Sequence, residues 1–298
     1  MTKIQDSFRK TLEVKGPLRL EVETGSGNIV VRRGEEGRLS VSGEFQVRAR
    51  SVEEARELAE RIKEDPPIEV VGELVRIGDL GRYELGLGRD WWPFGPSVMI
   101  DFTIEAPAET SVQLRSGSGD QEVRGIQGPL KLRAGSGDVE VEEIEADVAV
   151  TTGSGDIEVA HVRGGVEAEA GSGDIFLAEV AGRVEVEVGS GDVRLKEMGG
   201  DIAVEAGSGD IAVESAIGDR AKWALEASSG DVSLRLPEDS QFKLHIKTSS
   251  GEFATDFPLA VSGRIGREVE GRIGTEPTAE IRIATSSGDI ELKQKKAE

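Results

Sequence analysis

A tetrapeptide that returns at a constant interval is the feature of this sequence that most restricts its fold. Gly-Ser-Gly-Asp occurs with a step of 18 residues, and its copies end at Asp120, Asp138, Asp156, Asp174, Asp192 and Asp210. Relaxed copies end at Asn28, Asp231, Glu252 and Asp289. A constant step without insertions predicts that successive repeats stack, because each strand must then lie about 4.8 Å from the same strand of the next repeat.

Apolar residues alternate with polar ones in two segments of each repeat. In the repeat that begins at Asp156, the apolar positions are Ile157, Val159, Val162, Val166, Ala168 and Ala170. Alternation with a period of two predicts β-strands with one buried face. A glycine between the segments, such as Gly164, marks a second turn. One coil buries too little to fold alone, so only the stacked array is stable. The sequence therefore predicts an all-β fold, a parallel β-solenoid of 18-residue coils.

One α-helix is predicted as an insertion near the N-terminus. Ser51 is the expected N-cap, and Glu54 completes a capping box. The apolar stripe of the helix consists of Val52, Ala55, Leu58, Ala59 and Ile62. Pro66 and Pro67 stop the helix. We expect it to cover an end or an edge of the solenoid, which would otherwise template aggregation.

The other segments fit a single β-solenoid domain that comprises residues 1–298. Residues 1–50 are expected to form the first coils, and residues 51–97 form the insertion with the helix and an aromatic loop. Residues 98–292 are expected to form the regular coils, and residues 293–298 form a charged tail.

Composition excludes several classes of partner and site. The formal net charge of −21 disfavours nucleic acids and anionic membrane surfaces as partners. There is no cysteine, which excludes disulfides and thiolate metal sites. No apolar run is long enough to span a membrane, and the N-terminal segment does not read as a signal peptide. We therefore expect a cytoplasmic chain without direct membrane insertion, which a tethering partner or an additional leader would bring to the envelope.

Several short motifs carry a resemblance to a known family. They are the run from Leu20 to Val31, Ile104-Glu-Ala-Pro107, Ser111 to Asp120, Asp256-Phe-Pro-Leu259, Gly271-Arg-Ile-Gly274 and Thr285 to Leu292. Together they resemble the bacterial putative-adhesin family of β-strand-repeat proteins, a domain of unknown function. The resemblance implies a β-solenoid, often linked to the cell envelope, and it supplies no catalytic residues.

The repeated aspartates allow two interpretations. Stacked carboxylates about 5 Å apart repel each other, so something must offset that repulsion. Backbone N–H groups of the glycine-serine-glycine turn are one candidate, with each aspartate acting as a turn cap. Bound Ca²⁺ is the other, with a ladder of Asp138, Asp156, Asp174, Asp192 and Asp210. Asn28 and Glu252 stand in the same column, and an opposite turn such as Val162-Arg-Gly-Gly165 lacks a matching aspartate. Both observations favour the cap, and we expect no cofactor and no calcium.

Two surfaces are candidates for binding a protein partner. Outward strand positions place Glu167, Glu169, Glu185, Glu187 and Glu205 on adjacent coils. This acidic face either binds a basic partner or is a solvated surface that prevents aggregation. The aromatic loop holds Tyr83, Trp91, Trp92 and Phe94. These rings either form an exposed binding loop or fold onto the first coils.

The sequence offers no constellation for catalysis. His161 and His245 are the only histidines, and neither has the spacing of a nucleophile and its base. Each Gly-Ser-Gly opens a strand instead of a helix, so it is not a phosphate loop. The sequence predicts a non-enzymatic structural or protein-interaction solenoid, an adhesin-like scaffold. Two alternatives stay open: a self-assembling bactofilin-like scaffold, and an envelope-stress or surface-binding module that acts with a membrane-tethered partner.

Overall fold

The protein is almost entirely β-strand, as the repeat predicts. A computed structural model describes residues 2–78, 80, 96–261 and 267–295. Most strands pair in parallel with the equivalent strand of a neighbouring coil, which confirms the predicted parallel β-solenoid. The chain divides into two compact units, residues 1–141 and residues 142–298, and the division falls within one strand. Whether the chain forms a single domain stays a prediction.

Unit 1 contains the only α-helix of the described residues and two sheets. Its elements are β1 (Thr2–Glu13), β2 (Leu18–Ser26), β3 (Ile29–Arg33), β4 (Arg38–Ala49), α1 (Val52–Glu64), β5 (Ile68–Val71), β6 (Leu74–Ile77), β7 (Ser97–Ala106), β8 (Thr110–Ser118), β9 (Gln121–Arg124), β10 (Leu130–Ser136) and β11 (Val139–Ile144), which contains the division. Sheet A1 has the order β1-β4-β7-β3-β9-β11, and sheet B1 has the order β5-β6-β2-β8-β10. The pairs β1–β4, β4–β7 and β5–β6 are antiparallel.

Unit 2 consists of stacked coils with antiparallel strands at one end. Its strands are β12 (Val148–Ser154), β13 (Ile157–Val162), β14 (Val166–Ser172), β15 (Ile175–Val180), β16 (Val184–Ser190), β17 (Val193–Met198), β18 (Ile202–Ser208), β19 (Ile211–Glu214), β20 (Lys222–Ser229), β21 (Val232–Pro237), β22 (Phe242–Ser250), β23 (Phe253–Thr255), β24 (Ala260–Val261), β25 (Glu268–Ile273), β26 (Ala279–Ser287) and β27 (Ile290–Lys295). Sheet A2 has the order β13-β15-β17-β19-β21-β27-β23. Sheet B2 has the order β12-β14-β16-β18-β20-β26-β22-β25-β24.

In each unit, the inward side chains of the coils form the core between its A sheet and its B sheet. Ile157, Val159 and Val162 are all buried, so the inward positions of β13 skip from alternate residues to a gap of three. His161 causes the skip, because its φ of 57° is left-handed and turns the next side chain inward. Equivalent residues have a positive φ in other coils: Gly125, Glu143, Glu179 and Glu197. Only Gly125 is a glycine, so in most coils the residue type does not signal this bend.

A glycine between the strands is needed for close packing in several coils. A Cβ on Gly182 would lie 2.5 Å from the carbonyl oxygen of Gly164 in the neighbouring coil, and one on Gly200 would lie 2.4 Å from that of Gly182. The backbones of these coils approach too closely for a side chain at this turn, whereas Ala146 occupies the equivalent position one coil before Gly164.

The stacking order departs from the chain order at the end of unit 2. β26 pairs on one side with β20 and on the other with β22, and β27 lies between β21 and β23 in the same way. The last coil of the chain, formed by β26 and β27, is therefore inserted between the coil of β20 and β21 and the coil of β22 and β23. The steps of 21 and 37 residues between the last three repeats do not by themselves reveal this order.

The first coil of unit 1 is inserted in the same manner. β2 lies between β6 and β8, and β3 lies between β7 and β9. The coil built from β6 and β7 is therefore the outer one, although it comes later in the chain. Each insertion gives a coil near one end of the sequence two neighbours instead of one.

Helix α1 begins and packs largely as the sequence predicts. The Ser51 side chain accepts a hydrogen bond from the N–H of Glu54 at 3.1 Å. The Glu54 carboxylate accepts from the N–H of Arg50 instead of that of the N-cap residue. Val52 is 39% exposed and does not join the buried stripe, because it is the first helical residue. The other four stripe residues are buried, and the helix packs against β1 and β4. Among the described residues, no helix has the length and apolarity that crossing a lipid bilayer requires.

Candidate functional site

The aspartates of the repeat form a hydrogen-bonded column in unit 2. Oδ1 of Asp156 accepts from the backbone N–H of Asp174 at 2.8 Å, and Oδ1 of Asp174 accepts from Asp192 at 2.8 Å. The column continues through Asp210, Asp231, Asp289 and Glu252, with donor–acceptor distances of 3.0, 2.8, 2.7 and 2.8 Å. The N–H donors thus belong to the neighbouring coil. The sequence predicted donors in the aspartate's own turn.

Unit 1 contains the same kind of column. Asn28 Oδ1 accepts from the N–H of Asp120 at 2.9 Å, and Asp120 Oδ1 accepts from Asp138 at 3.0 Å. Asp101 Oδ1 accepts from the N–H of Asn28 at 2.8 Å, although Asp101 stands outside the repeated tetrapeptide. Asn28 shows that the column needs a short side chain with an oxygen acceptor, and that this acceptor need not be charged.

These contacts bear on the choice between a turn cap and a calcium ladder. Each accepting oxygen already takes a backbone N–H, as a cap does. Among the described residues, one group of three His, Asp or Glu side chains brings its ligand atoms close enough for a metal, and it contains no aspartate of the column. The absence of calcium stays a prediction, and the hydrogen bonds explain the column without it.

The three described side chains that could hold a metal ion are those of His245, Glu268 and Glu270, at the antiparallel end of unit 2. His245 Nδ1 is 3.2 Å from Glu270 Oε1, and His245 Nε2 is 3.6 Å from Glu268 Oε1. The carboxylates therefore face different nitrogens of one ring, as in an ion pair, and do not converge on one nitrogen. Arg282 is the strand neighbour of His245 on β26, and its charge opposes a cation there. We assign no metal to this group.

The glutamates of the predicted acidic face lie in register on sheet B2. Glu167 stands opposite Glu185, Glu169 opposite Glu187, and Glu187 opposite Glu205. All five are exposed. The structure thus brings together every member of this predicted set, in two adjacent columns on the outward face of β14, β16 and β18.

Glu226 extends the longer column and was missed by the sequence analysis. It is the strand partner of Glu205 and is also exposed. The step between their repeats is 21 residues instead of 18, which hid the equivalence. Counting back from Ser-Ser-Gly-Asp231, rather than forward from Asp210, would have found it. We call Glu169, Glu187, Glu205 and Glu226 the glutamate column.

Little in the structure neutralises this column. The Glu169 carboxylate lies 3.5 Å from the Thr151 hydroxyl, and Glu185 of the shorter column pairs with Arg183 at 3.0 Å. Within the described part of the chain, Glu187, Glu205 and Glu226 form no ion pair. Like charges directly opposite each other on neighbouring strands are destabilising, by about 0.8 kcal/mol at 5 Å in water.

A groove runs along the lower part of the glutamate column. It has a volume of about 560 Å³ and is lined by Glu187, Glu205 and Glu226 together with small residues such as Gly207 and Ser228. Lys247 closes it at the far end. Small residues such as Gly207 and Ser228 beside the carboxylates leave room for an extended segment to lie along the column.

The aromatic candidates cannot be placed. Tyr83, Trp91, Trp92 and Phe94 lie outside the described residues. The choice between an exposed binding loop and a covering flap therefore stays open.

Among the described residues, the side chains with a shifted pKa belong to ion pairs away from the glutamate column. A hydrogen bond from Lys295 lowers the pKa of Glu214, and the Nζ–Oε1 distance is 2.8 Å. The backbone N–H of Ser7 and then the Lys63 ammonium lower the pKa of Asp6. The hydrogen bond with Asp6 raises the pKa of Lys63 in turn. Both pairs join separate elements: β19 with β27, and β1 with α1.

Comparison with known proteins gives a family match and distant structural likenesses. The family model Toastrack DUF4097 matches residues 100–182 and again residues 146–293. No curated protein sequence is significantly similar to this chain. A putative adhesin from Bacteroides fragilis is 11% identical, with 96% of this chain and 97% of that chain covered and a TM-score of 0.41.

Two further solved structures are similarly distant. A putative adhesin from Parabacteroides merdae is 9% identical, with 98% of this chain and 97% of that one covered and a TM-score of 0.34. A putative cell adhesion protein from Clostridium sporogenes is 10% identical, with 98% and 100% covered and a TM-score of 0.26. We draw no functional conclusion from these low TM-scores.

Proposed function

Because this chain belongs to the Toastrack DUF4097 family, whose name specifies no reaction, we propose that it is a non-catalytic module that binds a protein partner. The binding surface is the outward face of sheet B2, and its centre is the glutamate column. The partner presents a basic, extended segment to this surface.

The observation that carries the proposal is the in-register stacking of unpaired carboxylates. Glu187, Glu205 and Glu226 occupy successive strands at one outward position, where a mixture of charges would stabilise the sheet better. A basic partner removes the repulsion when it binds, so part of its binding free energy comes from relief of strain in the free protein. The strands fix the spacing of these glutamates along the column, so little backbone conformational entropy is lost on binding.

The same regularity supports a role without catalysis. An active site joins different groups in one irregular arrangement, whereas this face repeats a single side chain. His161 is exposed and faces Glu179 at 2.9 Å, and no serine or threonine is hydrogen-bonded to its ring among the described residues. Binding to a partner fixed in the membrane would bring the module to the envelope, as the family resemblance implies.

Binding of a basic peptide tests the proposal. We expect fluorescence anisotropy to show a labelled oligolysine peptide binding to the wild-type chain, with an affinity that falls as salt rises. The triple variant E187Q/E205Q/E226Q should weaken this binding at least about tenfold, since three unpaired carboxylates are lost.

A matched variant separates the site from net charge. E158Q/E238Q/E276Q removes the same charge from exposed positions away from the column and should change the affinity less than about twofold. Equal losses in the two triple variants would mean that the peptide responds only to overall charge, and the proposed surface would be wrong.

A further inference from the structure

Strand β1 leaves one long edge of sheet A1 without a partner. It is the first strand in the sheet order and pairs on one side with β4 over all of its 12 residues. No other strand of the described residues pairs with its second edge. A long edge of this kind presents a row of backbone groups that another strand can bind.

The residues that face the open edge follow from two hydrogen bonds. Just beyond β1, the N–H of Val14 donates to Gly37 at 3.0 Å, on the β4 side. The N–H of Ser7 donates to its neighbour's carboxylate, Asp6 Oδ1, at 2.8 Å. In an antiparallel pair, alternate residues direct both backbone groups toward the partner strand and the others direct them away. Even-numbered residues therefore pair with β4, and odd-numbered residues face the open edge.

We propose that β1 pairs antiparallel with β1 of a second copy of this chain, about a two-fold axis that passes between the two Phe8 residues. In this register residue numbers across the interface add to a constant. The facing pairs are Lys3 with Glu13, Ile4 with Leu12, Gln5 with Thr11, Asp6 with Lys10, Ser7 with Arg9, and Phe8 with Phe8.

The strand is complementary to itself in this register on both faces. On the outer face, exposed Lys3 meets exposed Glu13 twice, once at each end of the interface. On the inner face, half-buried Ile4 meets half-buried Leu12, also twice. Opposite charges and apolar pairs directly across an antiparallel ladder stabilise it. Odd residues face odd residues, so these pairs can exchange N–H···O bonds, and the N–H of Ser7 leaves Asp6 Oδ1 when it binds the second copy.

Neighbouring registers lack this complementarity. Shifting the pairing by two residues keeps the backbone groups aligned but places Phe8 opposite Asp6 in one direction and opposite Lys10 in the other. Each shift also separates Lys3 from Glu13. Charges on an edge strand usually prevent pairing by repulsion, whereas here the charges attract a copy of the same strand.

The geometry makes a closed dimer and not a filament. A two-fold interface uses the same surface on both copies, so its formation removes both open β1 edges and leaves none to extend. This differs from the end-to-end scaffold considered from the sequence.

Charge exchange at the outer pair tests the dimer and its register. Lys3 and Glu13 form no ion pair with another described residue, so they can be altered without breaking contacts within the chain. Sedimentation equilibrium of the wild-type chain should show dimers at micromolar concentration. K3E should raise the dimer dissociation constant at least about tenfold, because two Glu–Glu contacts replace two ion pairs. K3E/E13K should restore it.

The control is K131E, which reverses the charge of an exposed lysine on β10 and should leave dimerisation unchanged. A monomeric wild-type chain at about 100 μM would overturn the proposal. A double variant no better than K3E would overturn the register. Circular dichroism establishes that each variant is folded.

Cysteine cross-linking provides a second and independent readout, because the chain contains no cysteine. Ile4 and Leu12 face each other as a non-hydrogen-bonded pair, with Cα atoms about 4.5 Å apart, a separation that a disulfide spans. Oxidised I4C/L12C should therefore run as a covalent dimer. I4C and L12C alone should not, since identical residues lie about 27 Å apart across the interface. Cross-linking of the single variants, or none of the double variant, would contradict this pairing.

Discussion

The backbone N–H of Glu252 donates to Oδ1 of Asp289 at 2.8 Å, although Asp289 belongs to a later coil of the chain. Asp289 in turn donates to Asp231 at 2.7 Å, so it stands between two coils that are consecutive in sequence. Glu252 is the last member of this column and its side chain accepts no N–H of a further coil in the described residues. Every position of the column whose side chain accepts an N–H holds a shorter Asp or Asn. The longer glutamate occurs at the one position that does not need to accept.

Removal of the last coil should destabilise the coil that precedes it in sequence. A chain that ends at residue 277 lacks β26 and β27, which are the parallel neighbours of β22 and β23. We expect hydrogen exchange in residues 242–255 to lose its protection, because that coil no longer has a stack to bind. Mass spectrometry of peptides from this range measures it.

An internal deletion is the matched control for that truncation. Removing residues 240–277 connects β21 to β26 by a linker as short as that between β17 and β18. Residues 279–295 should stay protected, since their contacts with β20 and β21 are kept. Unchanged protection of residues 242–255 in the truncated chain would show that the inserted coil does not support them.

The aspartate column should depend on its oxygen acceptor and not on its charge. Asp210 Oδ1 accepts from the N–H of Asp231, so D210A should lower the free energy of unfolding by about 1 kcal/mol. D210N keeps the acceptor, as Asn28 does, and should be at least as stable as the wild type. Urea unfolding monitored by circular dichroism measures both variants.

The control for the column is E252A, at the position whose side chain caps no further coil, and it should shift stability by less than about 0.5 kcal/mol. Excess calcium and a chelator should give the same melting temperature for the wild type. A D210N variant as damaged as D210A, or a melting temperature that rises with calcium, would favour a bound cation.

The second glycine of the repeated tetrapeptide should tolerate no side chain. Gly209 has a φ of +130°, and a Cβ there would lie 2.0 Å from the Gly191 carbonyl oxygen. G209A should therefore lower the free energy of unfolding by about 3 kcal/mol or more. The comparison variant is G25A, because a Cβ on Gly25 meets no atom within 4 Å. Similar unfolding midpoints for the two variants would contradict the close stacking of the turns.

The pair of Glu214 and Lys295 should make stability depend on pH. Its hydrogen bond holds the pKa of Glu214 below the ordinary value of 4.5. A carboxyl group whose pKa is lowered by folding stabilises the fold at pH values above its pKa in the unfolded chain. This stabilisation is lost as the pH falls through the pKa of the folded state. E214Q should thus be less stable than the wild type at neutral pH, by at most about 1 kcal/mol since the pair is largely exposed.

That difference should shrink below pH 4.5, and thermal melts across this range measure it. E276Q, at an exposed residue with no ion pair among the described residues, should show no such convergence. A constant difference between E214Q and the wild type at all pH values would mean that the substitution acts through packing and not through the charge.

Much of the fold could be predicted because its information is local and repeated. The inward positions Ile175 and Leu177, the turn at Gly173 and the outward Glu185 each follow from alternation within one coil. Strand β1 was not predicted, because its pattern of Ile4, Asp6, Phe8, Lys10 and Leu12 mixes apolar and charged residues on one face. That face packs partly against α1, where Asp6 pairs with Lys63 at 3.0 Å.

The sequence by itself determined the coil: its strands, its two turns, its buried positions and the column that Asp174 and Asp192 share. The tertiary structure alone decided which coils are neighbours, and so placed Asp289 beneath Glu252, joined Glu226 to Glu205, and directed each aspartate to an N–H of the next coil. The physical reason is that all coils carry nearly the same edge groups and inward side chains. The repeat pattern therefore does not reveal the order of the coils, which long-range chain connection and end capping select.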